Sequence, residues 1–183
     1  MKILISLCTL IIVSTLFPSY TNQLSAANTI IVQEQQKYAI YSTTFNINDK
    51  ARRVNITQAA KSINGVVVHP GEEFSFNQTV GPTIEKRGYL KGKIFVNGKE
   101  SMGVGGGVCQ VSSTLFCAVT IMGLETTERH PHSRPVKYVP KGYDAATSYG
   151  VIDYKFVNNQ PFPVIIEAAV EGNTLTVLIR QYK

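Results

Sequence analysis

A chain of 183 residues with 44% hydrophobic residues is long enough for one core-bearing domain and too short for two full ones. Its net charge of +6 includes no Lys/Arg run of the kind that grips nucleic acid. Beyond its first residues, no stretch stays apolar for the roughly 20 residues of a membrane span.

The N-terminus has the pattern of an export signal. Lys2 precedes an apolar run from Ile3 to Phe17, and Ser25-Ala26-Ala27 supplies the small residues read by a signal peptidase. Cleavage after Ala27 is expected. Cys8 lies within the apolar run and not at a small-residue cleavage site, so a lipoprotein anchor is not expected. Losing Lys2 with the leader lowers the net charge from +6 to +5 and leaves two cysteines, Cys109 and Cys117. The expected product is extracytoplasmic, with no integral membrane segment after cleavage. Its positive charge favours an anionic envelope, although simple solubility would also account for it.

Residues 28 to 36 are polar and form a lead-in. From Lys37 to Ile47 apolar and polar residues alternate, which predicts a strand. Asn55 is placed to cap a helix over Ile56 to Ile63, ended by Asn64-Gly65. Val66-Val67-Val68 reads as a short buried strand, and His69-Pro70-Gly71 turns the chain, a structural task for His69. Glu72, Glu73 and Phe74-Ser75-Phe76 line a groove or form an edge strand. Ile94 to Val96, Asn97-Gly98 and the residues from Lys99 onward carry a hairpin signal.

A glycine-rich stretch, Gly103 to Gly107, leads into a helix. Val108, Val111, Leu115, Val119 and Met122 recur at helical intervals, and Gly123 ends the pattern. The remainder reads as β: Tyr149 to Val157, then Val164 to Val170 and Leu175 to Tyr182 as a hairpin about Glu171-Gly172-Asn173. These elements predict an α+β fold. It is a single domain with a mixed, largely antiparallel sheet and one principal helix beginning at the Cys109 motif. Residues 28 to 50 form the lead-in and first strand, and 51 to 183 the domain proper.

Two cysteines in an exported chain suggest a disulfide. Eight residues apart on one helix they stand about 12 Å from each other, beyond bridging reach. Both are therefore read as free thiols. Cys117, in the helix interior, reads as a small core residue. Cys109 sits where the unpaired N–H groups of a helix N-terminus stabilise a thiolate. Gly105, Gly106 and Gly107 let a substrate approach the backbone, and their N–H groups can serve as an oxyanion hole. The competing reading is a buried cysteine beside a tight turn.

His130-Pro131-His132-Ser133-Arg134-Pro135 supplies further groups. Prolines favour extended backbone, and residues two apart in an extended segment share a side. That places His130, His132 and Arg134 together. Either histidine is a candidate base for Cys109, with His132 preferred for its flanking prolines, and Arg134 is a candidate clamp for a substrate carboxylate. Asp144 either orients the histidine or turns the chain. Asp153, in a predicted strand, is the weaker orienting candidate. Ser112 and Ser113 either orient the thiol or face solvent. Two histidines and a cysteine lack a fourth ligand at zinc-binding spacing, so neither metal nor cofactor is expected.

The run Gly105-Gly106-Gly107-Val108-Cys109-Gln110-Val111-Ser112-Ser113-Thr114-Leu115 resembles the core motif of the VanW family. Glu128-Arg129-His130-Pro131-His132-Ser133-Arg134-Pro135-Val136 and Asp144-Ala145 resemble it too, as do Ile63-Asn64-Gly65, Pro70 to Asn77, Val80-Gly81-Pro82 and Arg87-Gly88-Tyr89. The likeness runs over roughly residues 50 to 183. Members of this family are often exported and often carry extra envelope-binding domains, whereas this sequence reads as nearly the bare core. Some members are implicated as L,D-transpeptidases, which make 3→3 peptidoglycan cross-links. The resemblance therefore implies a secreted, cell-wall-associated enzyme acting on peptidoglycan stem peptides through a thioester at Cys109. Its site would comprise His132 or His130, Asp144, the Gly105–Gly107 backbone, and Arg134, Gln110, Ser112 and Ser113 as substrate contacts. A non-catalytic stem-peptide binding module and an envelope cysteine peptidase or amidase are the alternatives.

Overall fold

The computed structural model describes residues 38–96 and 99–183. The expected leader and most of the lead-in lie outside the described residues, as does the Asn97-Gly98 turn. Among the described residues no helix is long and apolar enough to cross a membrane.

The principal sheet contains β1 (Tyr38–Thr44), β2 (Val66–Val68), β8 (Val164–Glu171) and β9 (Thr174–Gln181), in the order β1-β9-β8-β2. All its pairings are antiparallel, with Tyr38 opposite Arg180 and Val68 opposite Val164. The period of two is visible along its strands. Leu175, Val177 and Ile179 of β9 and Val164 and Ile166 of β8 are buried, while Tyr38 and Ile40 of β1 are exposed on the opposite face. An antiparallel sheet with one covered face shows this alternation.

Two helices cover that face. α1 (Lys50–Ile63) lies on β8, and α3 (Val108–Met122) lies on β1 and β9. Ile56, Ala59, Ala60 and Ile63 recur on one side of α1 and are all buried. Val111, Leu115, Ala118 and Val119 do the same on α3. Helix α3 matches its sequence expectation closely and ends at Gly123, whose φ of 73° is the left-handed conformation that terminates helices.

Helix α1 begins well before the expected Asn55. Asp49 is its cap, with Oδ1 accepting from Arg52 N–H at 3.0 Å. Asn55 is fully buried within the helix and does other work. Its Oδ1 accepts from Leu90 N–H at 2.7 Å, and its Nδ2 donates to the carbonyls of Leu90 and Gly106 at 2.9 and 3.0 Å. An amide at one helical position thus ties two loops to the scaffold.

A second sheet, β3-β7-β6, is formed by β3 (Glu73–Ser75), β6 (Glu125–Glu128) and β7 (Lys155–Val157). Sequence reading extended the β7 strand back to Tyr149. Residues 149–151 instead turn, with Gly150 at φ 74° and Ser148 bridging Ile152. A short helix α2 (Phe76–Val80) follows β3 and a 3-10 turn spans Glu85–Arg87. The predicted hairpin is present as β4 (Lys91–Val96) paired with β5 (Lys99–Val104). The α+β class therefore holds, with the strands divided among three antiparallel sheets around one core.

Replacing Asn55 with alanine strands Leu90 N–H and Gly106 C=O and leaves Leu90 C=O with Gly105 N–H alone. The variant is expected to lose about 2–4 kcal/mol in urea unfolding, the scale for buried groups left unpaired. An unchanged midpoint would show that these bonds contribute nothing.

Candidate functional site

Cys109 is the second residue of α3, after the Gly107 cap. Two of the preceding glycines are required by close approach. A Cβ on Gly106 would sit 2.5 Å from the Lys93 carbonyl oxygen of the β4–β5 hairpin. Gly107 has φ 109°, and a Cβ there would meet Arg52 Cγ at 2.8 Å. The glycine run thus lies tightly between hairpin and helix α1. Gly105 N–H donates to Leu90 C=O, and Val108 and Gln110 N–H donate to the carbonyls of Gly105 and Gly107. The N–H groups of Gly106, Gly107 and Cys109 find no acceptor among the described residues.

Cys109 is half-buried, opens onto a cleft of about 540 Å³, and stands 3.4 and 3.8 Å from Thr147 C=O and Oγ1. The volume falls within the range of small-ligand sites. His132 and Thr147 line the same cleft, with Gly105, Gly106, Gly107 and Gln110. The His132 ring shares that cleft with the Cys109 sulfur and acts on its ionisation. On its other side, His132 Nδ1 lies 2.7 Å from Asp144 Oδ2. A carboxylate only accepts, so Nδ1 carries the proton and Nε2 is left for the sulfur.

Asp144 is itself anchored. Its Oδ2 also accepts from His132 N–H at 2.7 Å, and its Oδ1 accepts from Arg129 Nη2 at 3.3 Å. Arg129 Nε donates to the Asp144 carbonyl at 2.6 Å, and the guanidinium lies 4.9 Å over the Phe116 ring.

The charge states follow. Burial raises the Cys109 thiol, but the His132 hydrogen bond and Thr147 lower it by more, so the thiol lies below its ordinary value. Burial lowers His132, but Cys109 and then Asp144 raise it by more, and the net direction is upward. Burial raises Asp144, while the His132 backbone N–H and ring lower it by more. All three shifts run toward the charged forms, thiolate, imidazolium and carboxylate. Cys117 behaves oppositely: it is buried, and burial pushes it up to about 11. Both cysteines are free thiols.

The structure places the other sequence candidates differently. His130 does not share a side with His132. It forms an isolated bridge with Ala146, and its Nε2 faces Glu128 Oε1 at 3.1 Å, because the segment does not stay regularly extended through Pro131. Arg134 is exposed and does not line the cleft, so the shared-side placement fails for it too. Ser112 and Ser113 are fully buried and do not face a substrate. Ser112 Oγ donates to Ala145 C=O at 2.7 Å, while Ser113 Oγ accepts from Ala145 N–H at 2.9 Å and donates to Cys109 C=O at 2.7 Å. They fasten the Asp144 segment to the first turn of α3. Gln110 lines the cleft with its amide engaged, Nε2 on Thr43 Oγ1 and Thr44 C=O and Oε1 on Arg52. Asp153 braces Ser75 Oγ and the N–H groups of Asn77 and Tyr154.

Sequence reasoning missed Arg52, Arg129, Tyr138 and Thr147. Arg52 and Tyr138 line the cleft as well, with the guanidinium carbon 5.7 Å from the Tyr138 ring. Tyr138 in turn meets the His132 ring edge-to-face at 6.5 Å. Arg129 lies within the His130 motif and Thr147 three residues beyond Asp144; nothing local marks Arg52 or Tyr138. Among the described residues no group of three or more His, Cys, Asp or Glu side chains is arranged to hold a metal.

Alkylation by iodoacetamide tests the charge states. The thiolate is the reacting form, so modification of Cys109 should persist at pH values where an ordinary cysteine has stopped reacting. His132→Ala removes the main lowering influence and leaves the burial, so the inflection should move upward. A wild-type inflection at or above the ordinary thiol range would contradict the assignment.

The family model described as VanW like protein matches residues 51–180. The uncharacterized protein YoaR of Bacillus subtilis is 45% identical over 144 residues, covering 79% of this chain and 48% of its own. The Vancomycin B-type resistance protein VanW of Enterococcus faecalis is 35% identical over 127 residues, covering 65% of this chain and 46% of its own. The chain thus spans about half the length of these curated relatives. No solved structure matches it.

Proposed function

The chain belongs to the VanW-like family, and we propose that it is an exported cysteine acyltransferase acting on peptidoglycan stem peptides, an L,D-transpeptidase. The observation that carries this reading is the alignment of Cys109, His132 and Asp144 at an open cleft. The relative named for vancomycin resistance supports a cell-wall setting, and the excess of positive charge suits an anionic envelope.

In this mechanism the Cys109 thiolate attacks the carbonyl carbon of the amide that follows the third stem residue. The carbonyl oxygen becomes an oxyanion and takes hydrogen bonds from the Gly106, Gly107 and Cys109 N–H groups, which have no acceptor among the described residues. The imidazolium of His132 gives its Nε2 proton to the leaving amine as the C–N bond breaks, and a thioester remains on Cys109. The neutral imidazole then takes a proton from an incoming amine, which attacks the thioester. The new amide leaves, and thiolate and imidazolium are restored. Asp144 remains ionised throughout and holds the ring in the tautomer that presents Nε2.

Incubation with a tetrapeptide stem followed by mass spectrometry should show the acyl adduct on Cys109, and none in Cys109→Ala. Product analysis with and without an amine acceptor separates transfer from hydrolysis: a cross-linked product supports the transferase, and a free tripeptide alone supports a peptidase. Wild-type turnover by Cys109→Ala would end the covalent reading. Stem binding without any adduct would leave a binding module.

A further inference from the structure

Arg52 carries an unmet demand for an anion. Its side chain runs from the first turn of α1 across the bare Cα of Gly107, two residues before Cys109, and lines the cleft. Nη2 and Nε both donate to Gln110 Oε1, at 2.7 and 3.3 Å, and the plane rests against Tyr138. A guanidinium has five N–H donors, so three remain. No carboxylate pairs with Arg52 among the described residues. Besides His132, which faces Asp144, the other basic residues lining the cleft are Lys93, paired with Glu100 at 2.9 Å, and the exposed Lys137; among the described residues neither Asp nor Glu lines it. Through Tyr138 the guanidinium carbon lies within about 12 Å of the His132 ring. A scissile amide and one further residue span roughly 7 Å when extended, inside that bound.

We propose that Arg52 is the specificity-determining residue of the donor site and takes the free C-terminal carboxylate of the acyl donor, one residue beyond the amide that Cys109 attacks. The assignment rests on the acyl-transfer reading of Cys109. Gln110 and Tyr138 fix the guanidinium from one edge and one face, leaving its other N–H groups for a two-point contact with the carboxylate. The site then selects peptides that end after the residue leaving with the amine, and disfavours chains that continue.

Binding by the full chain carrying Cys109→Ala tests this without turnover. The probes are the tetrapeptide L-Ala-γ-D-Glu-L-Lys-D-Ala with a free C-terminus and the same peptide as its C-terminal carboxamide, titrated by calorimetry. The free acid should bind roughly 10- to 100-fold more tightly. Adding Arg52→Gln should weaken the acid to the level of the carboxamide and leave the carboxamide unchanged; Arg52→Lys should recover part of the preference. Equal binding of both probes, an equal loss on both in Arg52→Gln, or no binding of either would overturn the proposal. Loss of acylation in the wild type with the acid preference intact would overturn the transferase reading alone.

Discussion

The site depends on how the carboxylate of Asp144 is held. It is a partly buried anion, and burial alone would favour its protonated form. Three donors prevent this: the His132 N–H and ring on one oxygen, and Arg129 on the other. With the carboxylate ionised, the His132 ring is held through Nδ1, and its other nitrogen is left for Cys109 in the shared cleft. The position of Asp144 is fixed by its neighbour, since Ala145 is bonded on both sides by the Ser112 and Ser113 hydroxyls of the Cys109 helix. Nucleophile and orienting acid are thus tied to the same turn of α3, across 34 residues of intervening chain.

A second constraint acts on the approach to the thiolate. The glycine run cannot carry side chains because it is pressed between the β4–β5 hairpin and Arg52 of α1. Asn55 holds the same run from beneath through the Gly106 carbonyl. One tight packing arrangement therefore leaves the N–H groups of Gly106, Gly107 and Cys109 without acceptors among the described residues, and brings Arg52 against Gly107, two residues before the nucleophile.

Sequence pattern made some of this legible and concealed the rest for physical reasons. Helix α3 was readable because its apolar period, its glycine-rich start and its terminal Gly123 agree. The freedom of both cysteines followed from that helix. Helix α1 was readable only in its second half, since Lys50 to Arg53 are polar and the amide of Asn55 looked like a cap when it is a buried cross-link between loops. The strand expected from Tyr149 failed because Gly150 at positive φ turns the chain back onto Ile152. Alternation through a Pro-rich segment assumed regular extension, which misplaced His130 and Arg134. Arg52 on one side and Tyr138 and Thr147 on the other lie far from Cys109 in sequence, and no local pattern announces a long-range contact. Ser112 and Ser113 drew attention for their position and proved to bind the chain itself.

The central claim is that Cys109 and His132 exist as a thiolate–imidazolium pair oriented by Asp144. Nitrogen-15 NMR of the His132 ring measures it directly. At neutral pH both ring nitrogens should carry protons, with the Nδ1 proton shifted downfield by its carboxylate, and Cys109→Ala should lower the pH at which the ring deprotonates. A ring that is neutral at that pH in the wild type, or whose titration is unmoved by loss of the sulfur, would contradict the account.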